Sequence, residues 1–550
     1  MDTTTRTRPA RTIDSRPRTP HGSTAVRVGA SFVVGLAALG AVRLATVILG
    51  RRPGGAAVLG RFGASLAARA GLAAAVRTAS RARKDVPAYR SITADSRPWR
   101  AALRTGRLAD YLTALPVLDK SSYIDVFGVG TRCVGGQLPA HDVEIDESSG
   151  SSGRPYQWVR SRSELDQVEA SIAVQAACLL DGRRHRQIVV LNCFSMGAWA
   201  TGQSVTGALR RLGIVKSCGP DVDKALAAIE LMGTDTCYVV CGYPPFLAAL
   251  LDAAGQRSLE LGGHELWGFV GGESMSEVLR TRLECSFVRV LSAYGASDLD
   301  IGVAGETEFA VAVRQAAERN PDFAYALFGA TGRLPMVFQY DPSTYHVETV
   351  TGRDGPELVV TVTRALLSPR VRYAVHDAGG TRTFDEVLAT ARKFGIPLPS
   401  RGAMRLPVLF VAGRADSSVS HMGANLYPED VDAALGALAA RRADLGLGAF
   451  CLSLAEHSDG STTPIIHVEV ASTVARTDPS TSQTVRDAVG AWLVEHNRDW
   501  SAAAAEDRRA LAFDIRCTGP GTGVFTENAT RIKRRYLVTD RQLTSQEGTS

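Results

Sequence analysis

The stretch Glu147-Ser-Ser-Gly-Ser-Ser-Gly-Arg-Pro155 is the most distinctive local feature of the sequence. Its four serines and two glycines come before a predicted helix that begins near Ser163, where Ser163 and Asp166 have the spacing of a capping box with Asp in place of Glu. Glycines let backbone N–H groups approach an anion, serine hydroxyls add donors, and Arg154 adds positive charge. The loop therefore predicts a phosphate-binding site. A flexible linker is the alternative, and the kinase P-loop pattern G-x-x-x-x-G-K-[ST] is absent here.

Short apolar runs around this loop alternate with helix-like stretches such as 221–232 and 274–284. Six of these runs have strand-like composition, and they are 187–194, 236–243, 265–272, 288–295, 357–363 and 407–413. Strands that alternate with helices indicate α/β layers with substantially parallel sheets. After Gly413 a helix, two strand-like runs and a second helix predict a smaller α+β domain over 413–550.

The charge of the chain is unevenly distributed. Among the 550 residues, 62 are Lys or Arg and 56 are Asp or Glu, which gives a net charge of +6. Residues 1–110 carry 20 basic and five acidic side chains, so the rest of the chain is net acidic. A basic excess confined to one end argues against a nucleic-acid partner. Nine cysteines are too few for a disulfide scaffold and predict a reducing, cytoplasmic compartment.

The basic front end divides into a tail over 1–23, predicted to be disordered, and an apolar helix over 24–59. Within this helix, residues 28–50 contain one charge, Arg43, and would span ~34 Å, enough to cross a bilayer core. Two placements remain open. The helix either anchors the protein to the inner face of the membrane, or it stays off the membrane, docked on the protein or frayed from it.

Six separate segments of the sequence, taken in their order along the chain, together form a recognisable set of motifs. They are Leu115–Lys120 (LPVLDK), Ser148–Pro155, Gly271–Ser274 (GGES), Ala293–Asp298 (AYGASD), Pro369–Asp377 (PRVRYAVHD), and Gly413–Asp416 with Gly423–Pro428. Together they resemble the adenylate-forming superfamily and, more narrowly, its phenylacetate–CoA ligase and coenzyme F390 synthetase branch. The resemblance extends from about Leu72 to the C-terminus and weakens after Glu456. It implies an α/β fold with a large multi-layer adenylation domain over 60–412 and a smaller, mobile α+β domain over 413–550.

The resemblance also implies ATP and Mg²⁺ as cofactors, with coenzyme A as the expected acyl acceptor. The outgoing phosphates would be held by the loop residues Ser148, Ser149, Gly150, Ser151, Ser152, Gly153 and Arg154. The nucleotide pocket would be formed by Gly272, Glu273, Tyr294 and Gly295, with the Tyr294 ring stacked on adenine. Asp377 would bind the ribose hydroxyls, and Arg414 would reach phosphate or ribose.

Three residues are implied to act on the reacting phosphate: Asp298, Arg414 and Lys533. Asp298 stands where the family usually has glutamate, the Mg²⁺ ligand, so the carboxylate is one methylene shorter. Lys533 would supply the cation that aids adenylation, although Ile532 precedes it where a glycine is usual; an exposed basic tail is the alternative. Asp416 would be the pivot between the domains. His376 replaces the usual glycine before Asp377, with no assigned effect.

The main functional hypothesis is an ATP-dependent ligase that forms an acyl-adenylate and transfers the acyl group to a thiol. Trp199, Tyr243 and Phe246 suggest an apolar or aromatic acid, but the same residues would serve equally as core. Adenylation with another acceptor is the first alternative: an amine, a carrier protein or nitrite. A non-catalytic, membrane-attached protein with the adenylate-forming fold is the second.

Overall fold

The computed structural model describes twelve stretches of the chain, and everything below refers to them. They are residues 64–105, 107–148, 156–180, 187–197, 200–329, 334–352, 355–400, 403–414, 419–422, 424–470, 479–506 and 512–525. The predicted tail over 1–23 and the apolar segment over 28–50 lie outside them. None of the helices in these stretches has both the length and the apolar character needed to cross a bilayer.

An 11-stranded mixed sheet forms the centre of the large part of the chain. Its strands are β3 (Ile188–Asn192), β4 (Ile214–Ser217), β5 (Cys237–Gly242), β6 (Glu265–Gly271), β7 (Arg289–Tyr294), β8 (Ala304–Gly305), β9 (Met336–Tyr340), β10 (Tyr345–Thr351), β11 (Pro356–Val362), β12 (Tyr373–Arg382) and β13 (Val408–Arg414). The spatial order is β10-β11-β12-β13-β9-β8-β7-β6-β5-β3-β4. All six apolar runs identified in the sequence lie on strands of this sheet.

The sheet is parallel in one half and antiparallel in the other. Strands β4, β3, β5, β6 and β7 pair in parallel, whereas every pairing from β7–β8 to β10–β11 is antiparallel. The expectation of substantially parallel sheets therefore holds for one half. In that half helices supply the crossovers, while β10, β11 and β12 follow each other closely along the chain and pair as a meander.

Helices cover the faces of this sheet. They are α1 (Ala64–Asp85), α2 (Pro87–Ile92), α3 (Arg97–Thr105), α4 (Leu108–Thr113), α5 (Arg162–Leu179), α6 (Ala200–Leu209), α7 (Val222–Met232), α8 (Pro244–Gln256), α9 (Glu277–Leu283), α10 (Glu308–Arg319), α11 (Pro321–Phe328) and α12 (Phe384–Lys393). Their ends follow capping rules: Asp221 accepts a hydrogen bond from the Lys224 amide, and Ser276 accepts one from Leu279.

The Ser/Gly loop lies in a different context from the one predicted. It follows β1 (Val143–Ser148) and precedes β2 (Tyr156–Ser161), and the two strands pair antiparallel. The expected start of α5 near Ser163 is therefore wrong by a short distance. Its capping box is formed by Ser161 and Glu164, because the strand Tyr156–Ser161 ends directly at the helix and its last residue, Ser161, serves as the N-cap.

The C-terminal part has its own sheet and core. Strands β16 (Phe450–Glu456), β17 (Thr462–Glu469) and β18 (Asp514–Thr518) form a three-stranded sheet, preceded by the hairpin β14 (Val419–His421) and β15 (Ala424–Leu426). Helices α13 (Pro428–Arg441), α14 (Pro479–His496) and α15 (Arg498–Glu506) complete it. Its buried cluster, which includes Leu452, Ile466, Val489 and Trp500, is separate from the clusters around the large sheet. The predicted fold class, a large α/β part followed by a smaller α+β part, is confirmed.

Candidate active site

One group of contacts forms where β7, β12 and β13 approach each other. Tyr294, the last residue of β7, donates a hydrogen bond from its hydroxyl to Oδ2 of Asp377 at 2.5 Å. Arg414 lies directly opposite Asp377 in the β12–β13 register, and its Nη1 is 3.5 Å from Oδ1. We call these three residues the Asp377 cluster. Both carboxylate oxygens of the buried Asp377 are thus engaged by polar groups.

The Tyr294 ring is held by its neighbours. It packs against Phe338 of β9 with ring centroids 5.8 Å apart and an interplanar angle of 32°. Burial of the phenol and the negative charge of Asp377 raise the pKa of Tyr294 well above its ordinary value. The hydroxyl therefore stays protonated at neutral pH and acts as a donor to Asp377.

A second group of contacts forms in the loop that follows β7. Asp298 accepts a hydrogen bond at Oδ2 from the Tyr373 hydroxyl, at 3.2 Å, and its Oδ1 is 3.4 Å from Nζ of Lys120. We call Asp298, Tyr373 and Lys120 the Asp298 cluster. The Asp298 side chain is 11% exposed, so its charge is balanced locally by the lysine rather than by bulk water.

Two buried arginines hold the backbone of this loop. Arg370 donates from Nε to the carbonyl of Asp298 at 2.9 Å, and Arg160 donates to the carbonyls of Leu299 and Ser297 at 2.9 and 2.5 Å. Gly295 opens the loop. A Cβ at this position would lie 2.7 Å from the backbone nitrogen of Gly302, so a side chain would displace the loop and the carboxylate it carries.

The ends of the Ser/Gly loop lie beside the Asp298 cluster. Ser148 and Tyr156 are register partners in the β1–β2 pair, so the loop closes a hairpin between them. Nζ of Lys120 is 5.0 Å above the Tyr156 ring, a cation–π contact. The Tyr156 hydroxyl donates to Asp125 at 3.3 Å, and burial, with the Asp125 charge second, raises the pKa of Tyr156 to about 12. The strand that follows the loop, β2, therefore begins at a residue that contacts Lys120.

The turn after β6 lies at the same edge of the sheet. Gly272 has φ +83°, and a Cβ there would be 2.9 Å from Cε1 of Tyr243, so both the backbone and the close contact favour glycine. Glu273 follows it and is half-buried. Tyr243 in turn packs edge-on against Phe194, with ring centroids 5.3 Å apart. Phe246, expected near the acid pocket, is fully buried and serves as core.

Several predicted site residues lie outside the described part of the chain. They are Ser149, Gly150, Ser151, Ser152, Gly153, Arg154, Trp199, Asp416 and Lys533. Their predicted roles stay predictions.

The two clusters share two elements of the fold. Tyr373 and Asp377 are on the same strand, β12, while Tyr294 and Asp298 are on β7 and the loop that follows it. Tyr294, Asp377 and Arg414 are therefore in direct contact, whereas Asp298 contacts Lys120 and Tyr373. The ligand-binding roles of these residues stay predictions. Sequence reasoning missed Lys120, Tyr156 and Tyr373. Lys120 and Tyr373 lie inside segments already identified, LPVLDK and PRVRYAVHD, but nothing in the spacing showed that they meet Asp298.

The residues around Asp298 offer a Mg²⁺ ion a single carboxylate ligand. Within the described stretches no group of three or more His, Cys, Asp or Glu side chains could hold a metal ion. Mg²⁺ bound through one carboxylate takes its remaining ligands from phosphate oxygens and water. The site therefore fits a Mg²⁺ that arrives with a phosphate-bearing ligand and does not fit one held by protein groups alone.

Comparison with known proteins shows a shared fold. No protein-family model and no curated protein matches the chain. Among solved structures, 2-hydroxyisobutyryl-CoA ligase in complex with 2-HIB-AMP and CoA, in the thioesterification state, is similar at a TM-score of 0.56 and 17% identity. That similarity covers 89% of this chain and 94% of the ligase.

Two further structures are similar at lower scores. The same ligase in the postadenylation state with R3-HIB-AMP has a TM-score of 0.49 and 15% identity, over 89% of this chain and 94% of that one. The o-succinylbenzoate CoA synthetase of Bacillus subtilis has a TM-score of 0.38 and 12% identity, over 73% and 69%. The first similarity spans both parts of the chain and confirms the fold class expected from the resemblance.

Proposed function

We propose that this protein is an ATP-dependent, AMP-forming acid–thiol ligase. It would join a carboxylic acid to the α-phosphate of ATP with loss of pyrophosphate, and then transfer the acyl group to a thiol, with coenzyme A as the expected acceptor. The observation that supports the proposal is the contact of Asp377 with Tyr294 and Arg414, which come from three separate segments, on the same elements that carry the Asp298 cluster. The resemblance to the phenylacetate–CoA ligase branch, noted in the sequence, supports the same activity.

The Asp377 cluster is suited to a nucleoside. A buried carboxylate beside a tyrosine ring offers acceptors for two ribose hydroxyls and a flat apolar surface for a base. Arg414 adds a cation within reach of the same carboxylate, at 3.5 Å. We assign Asp377 to the ribose, Tyr294 to the base, and Arg414 to ribose or phosphate, with Gly272, Glu273 and Gly295 shaping the pocket.

The Asp298 cluster is suited to the phosphates. Adenylation places charge on phosphate oxygens in the transition state, so cations and donors must converge there. We assign Asp298 to Mg²⁺, which when bound would neutralise phosphate charge, and Lys120 to the same anionic region. The serines and Arg154 of the Ser/Gly loop would hold the outgoing pyrophosphate. Lys533 and Asp416 keep the roles proposed from the sequence, the adenylation cation and the pivot.

The first experiment is ATP–pyrophosphate exchange over a panel of apolar and aromatic carboxylic acids. We expect exchange with at least one acid. Asp377→Ala should reduce exchange by about a hundredfold or more, because the ribose loses an ionised acceptor of two hydrogen bonds. Asp385→Ala is the matched control, since Asp385 is an exposed residue of α12 that pairs with Arg405. Absence of exchange in the wild-type protein with every acid, or equal exchange in the two variants, would contradict the proposal.

The acceptor is tested separately. Once an active acid is known, addition of coenzyme A should consume the adenylate and yield a thioester. Adenylate formation without a thioester would instead support an amine, a carrier protein or nitrite as the acceptor or nucleophile.

A further inference from the structure

His376 occupies an irregular position in β12, next to Asp377. Its backbone has φ +60°, a left-handed conformation that a histidine rarely adopts. On the neighbouring strand Glu357 pairs with Ala378 and Val359 pairs with Ala374, so β12 bulges over 375–377. Bulges redirect side chains. This one turns the Asp377 side chain toward Tyr294 and brings His376 among carboxylates.

The two ring nitrogens of His376 face two different carboxylates. Nδ1 is 2.7 Å from Oε1 of Glu357 on β11, and Nε2 is 3.4 Å from Oδ2 of Asp119. Both contacts are ion-pair distances rather than hydrogen bonds of good geometry, and Oε1 of Glu357 has no hydrogen-bond partner among the described residues. They are therefore attractive only when the imidazole is charged. The contact with the Asp119 carboxylate, with the charge of Glu357 acting in the same direction against burial, raises the pKa of His376 above its ordinary value.

Asp119 connects this histidine to the Asp298 cluster. Its other oxygen, Oδ1, caps the turn Lys120–Ile124 by accepting from the Ser122 amide at 2.7 Å and from the hydroxyls of Ser121 and Ser122. His376 holds the pKa of Asp119 well below its usual range, so the cap stays ionised. The next residue is Lys120, whose ammonium contacts Asp298.

We propose that His376 is a positioning residue that clamps Asp119 to β12 and Glu357 and thereby holds Lys120 against Asp298. The inference rests on the proposed function insofar as the clamped lysine serves the phosphate region. The charged groups that face the ring are Asp119 from the capped turn and Glu357 from β11; the adjacent Asp377 bonds instead to Tyr294 and Arg414. The clamp requires the imidazolium. Because the histidine has a raised pKa, the clamp is complete at lower pH and is lost as pH rises through that value.

The variants that test the clamp should fold. The segment before the turn is tied to β12 by backbone bonds of its own, from Leu118 N to the Arg372 carbonyl at 2.9 Å and from Ala374 N to the Leu118 carbonyl at 2.7 Å. His376→Asn removes the charge with a residue that accepts a left-handed backbone. His376→Arg keeps a permanent charge, and Arg372, directly before β12, already adopts a left-handed backbone at φ 48°.

The first measurement is the acetylation rate of Lys120 at pH 7, read by mass spectrometry relative to Lys224 in the same molecule. Lys224 is exposed and pairs with Asp221, far from the turn in sequence. We expect Lys120 to react about threefold faster or more in His376→Asn, the scale of one partly exposed ion pair, and at the wild-type rate in His376→Arg. Equal Lys120 rates in all three proteins would overturn the clamp, whether or not the protein proves to be a ligase.

The second measurement is the pH profile of ATP–pyrophosphate exchange between about pH 6 and 9, the range around the ordinary histidine pKa. The wild-type protein should lose activity on the alkaline side through one additional titration that His376→Arg lacks, while His376→Asn stays low throughout. Coincident profiles of the wild type and His376→Arg would overturn the positioning role. Exchange absent from every protein would refute the proposed function and leave the acetylation rates to decide the clamp.

Discussion

At the scale of single residues, the site depends on a few hydrogen bonds to carboxylates. Asp377 is buried, and two groups from other strands, Tyr294 and Arg414, approach its oxygens. A buried carboxylate that loses a partner retains the full cost of its desolvation, so each partner matters more than an exposed hydrogen bond would. The sequence identified all three residues but not that Tyr294 bonds Asp377 directly.

Tyr294→Phe removes one hydroxyl and keeps the ring. We expect a loss of about 1–3 kcal/mol in the free energy of unfolding, because Oδ2 of Asp377 loses a charge-assisted hydrogen bond while remaining buried. Chemical denaturation measures it. Tyr325→Phe is the matched control, since Tyr325 is 67% exposed and its hydroxyl can bond water. Equal free energies for the two variants would show that the Tyr294–Asp377 bond contributes nothing to stability.

At the scale of elements, packing places the helices and turns that the site needs. Helix α1 crosses the antiparallel end of the sheet and meets the turn before β10 through Gly71. A Cβ on Gly71 would lie 1.8 Å from the carbonyl oxygen of Pro342, so the two backbones are in contact. The spacing of apolar and basic residues along α1 is that of an amphipathic helix. It could not indicate which surface that helix meets.

Gly71→Ala should therefore cost about 2–3 kcal/mol or more, because the helix must move away from the sheet to relieve the clash. Gly255→Ala in α8 is the control, since nothing lies within 4 Å of its Cβ. Replacing a helical glycine there should leave stability unchanged or raise it by up to ~1 kcal/mol. Thermal and chemical denaturation of both variants measure the difference. A Gly71→Ala protein as stable as Gly255→Ala would mean that α1 does not dock as described.

At the scale of the whole molecule, the C-terminal part contacts the large part through a tight turn. Gly460, between β16 and β17, has φ +80°, and a Cβ there would lie 2.5 Å from the backbone nitrogen of Leu279 in α9. Beside it Arg282 and Asp459 form an exposed ion pair at 3.3 Å, which contributes little. The contact of the smaller part with α9 therefore requires a glycine at this position. The resemblance predicts that this part moves between half-reactions, and the domain boundary at 412–413 stays a prediction.

Gly460→Ala should displace the smaller part from α9 and increase the radius of gyration measured by small-angle scattering. Gly521→Ala is the matched control: its φ of +65° imposes a similar backbone strain of about 1 kcal/mol, but nothing lies within 4 Å of its Cβ. If the protein is the proposed ligase, Gly460→Ala should also change the ratio of the exchange and thioester rates. Identical scattering from the two variants would contradict the contact between Gly460 and α9.

Local patterns were enough to predict six strands of the large sheet and several helix ends, because apolar periodicity and capping depend on neighbours in the chain. The candidate site residues came from the family resemblance and not from these patterns. Local patterns could not predict which strands pair with each other. The capping box fell on Ser161 rather than Ser163, and half the sheet is antiparallel, since both depend on which strands meet. The contacts of Lys120 with Asp298 and of His376 with Asp119 and Glu357 join residues distant in sequence. Folding brings these charges together because desolvated carboxylates require partners. The spacing of residues along the chain does not indicate which residues those partners are.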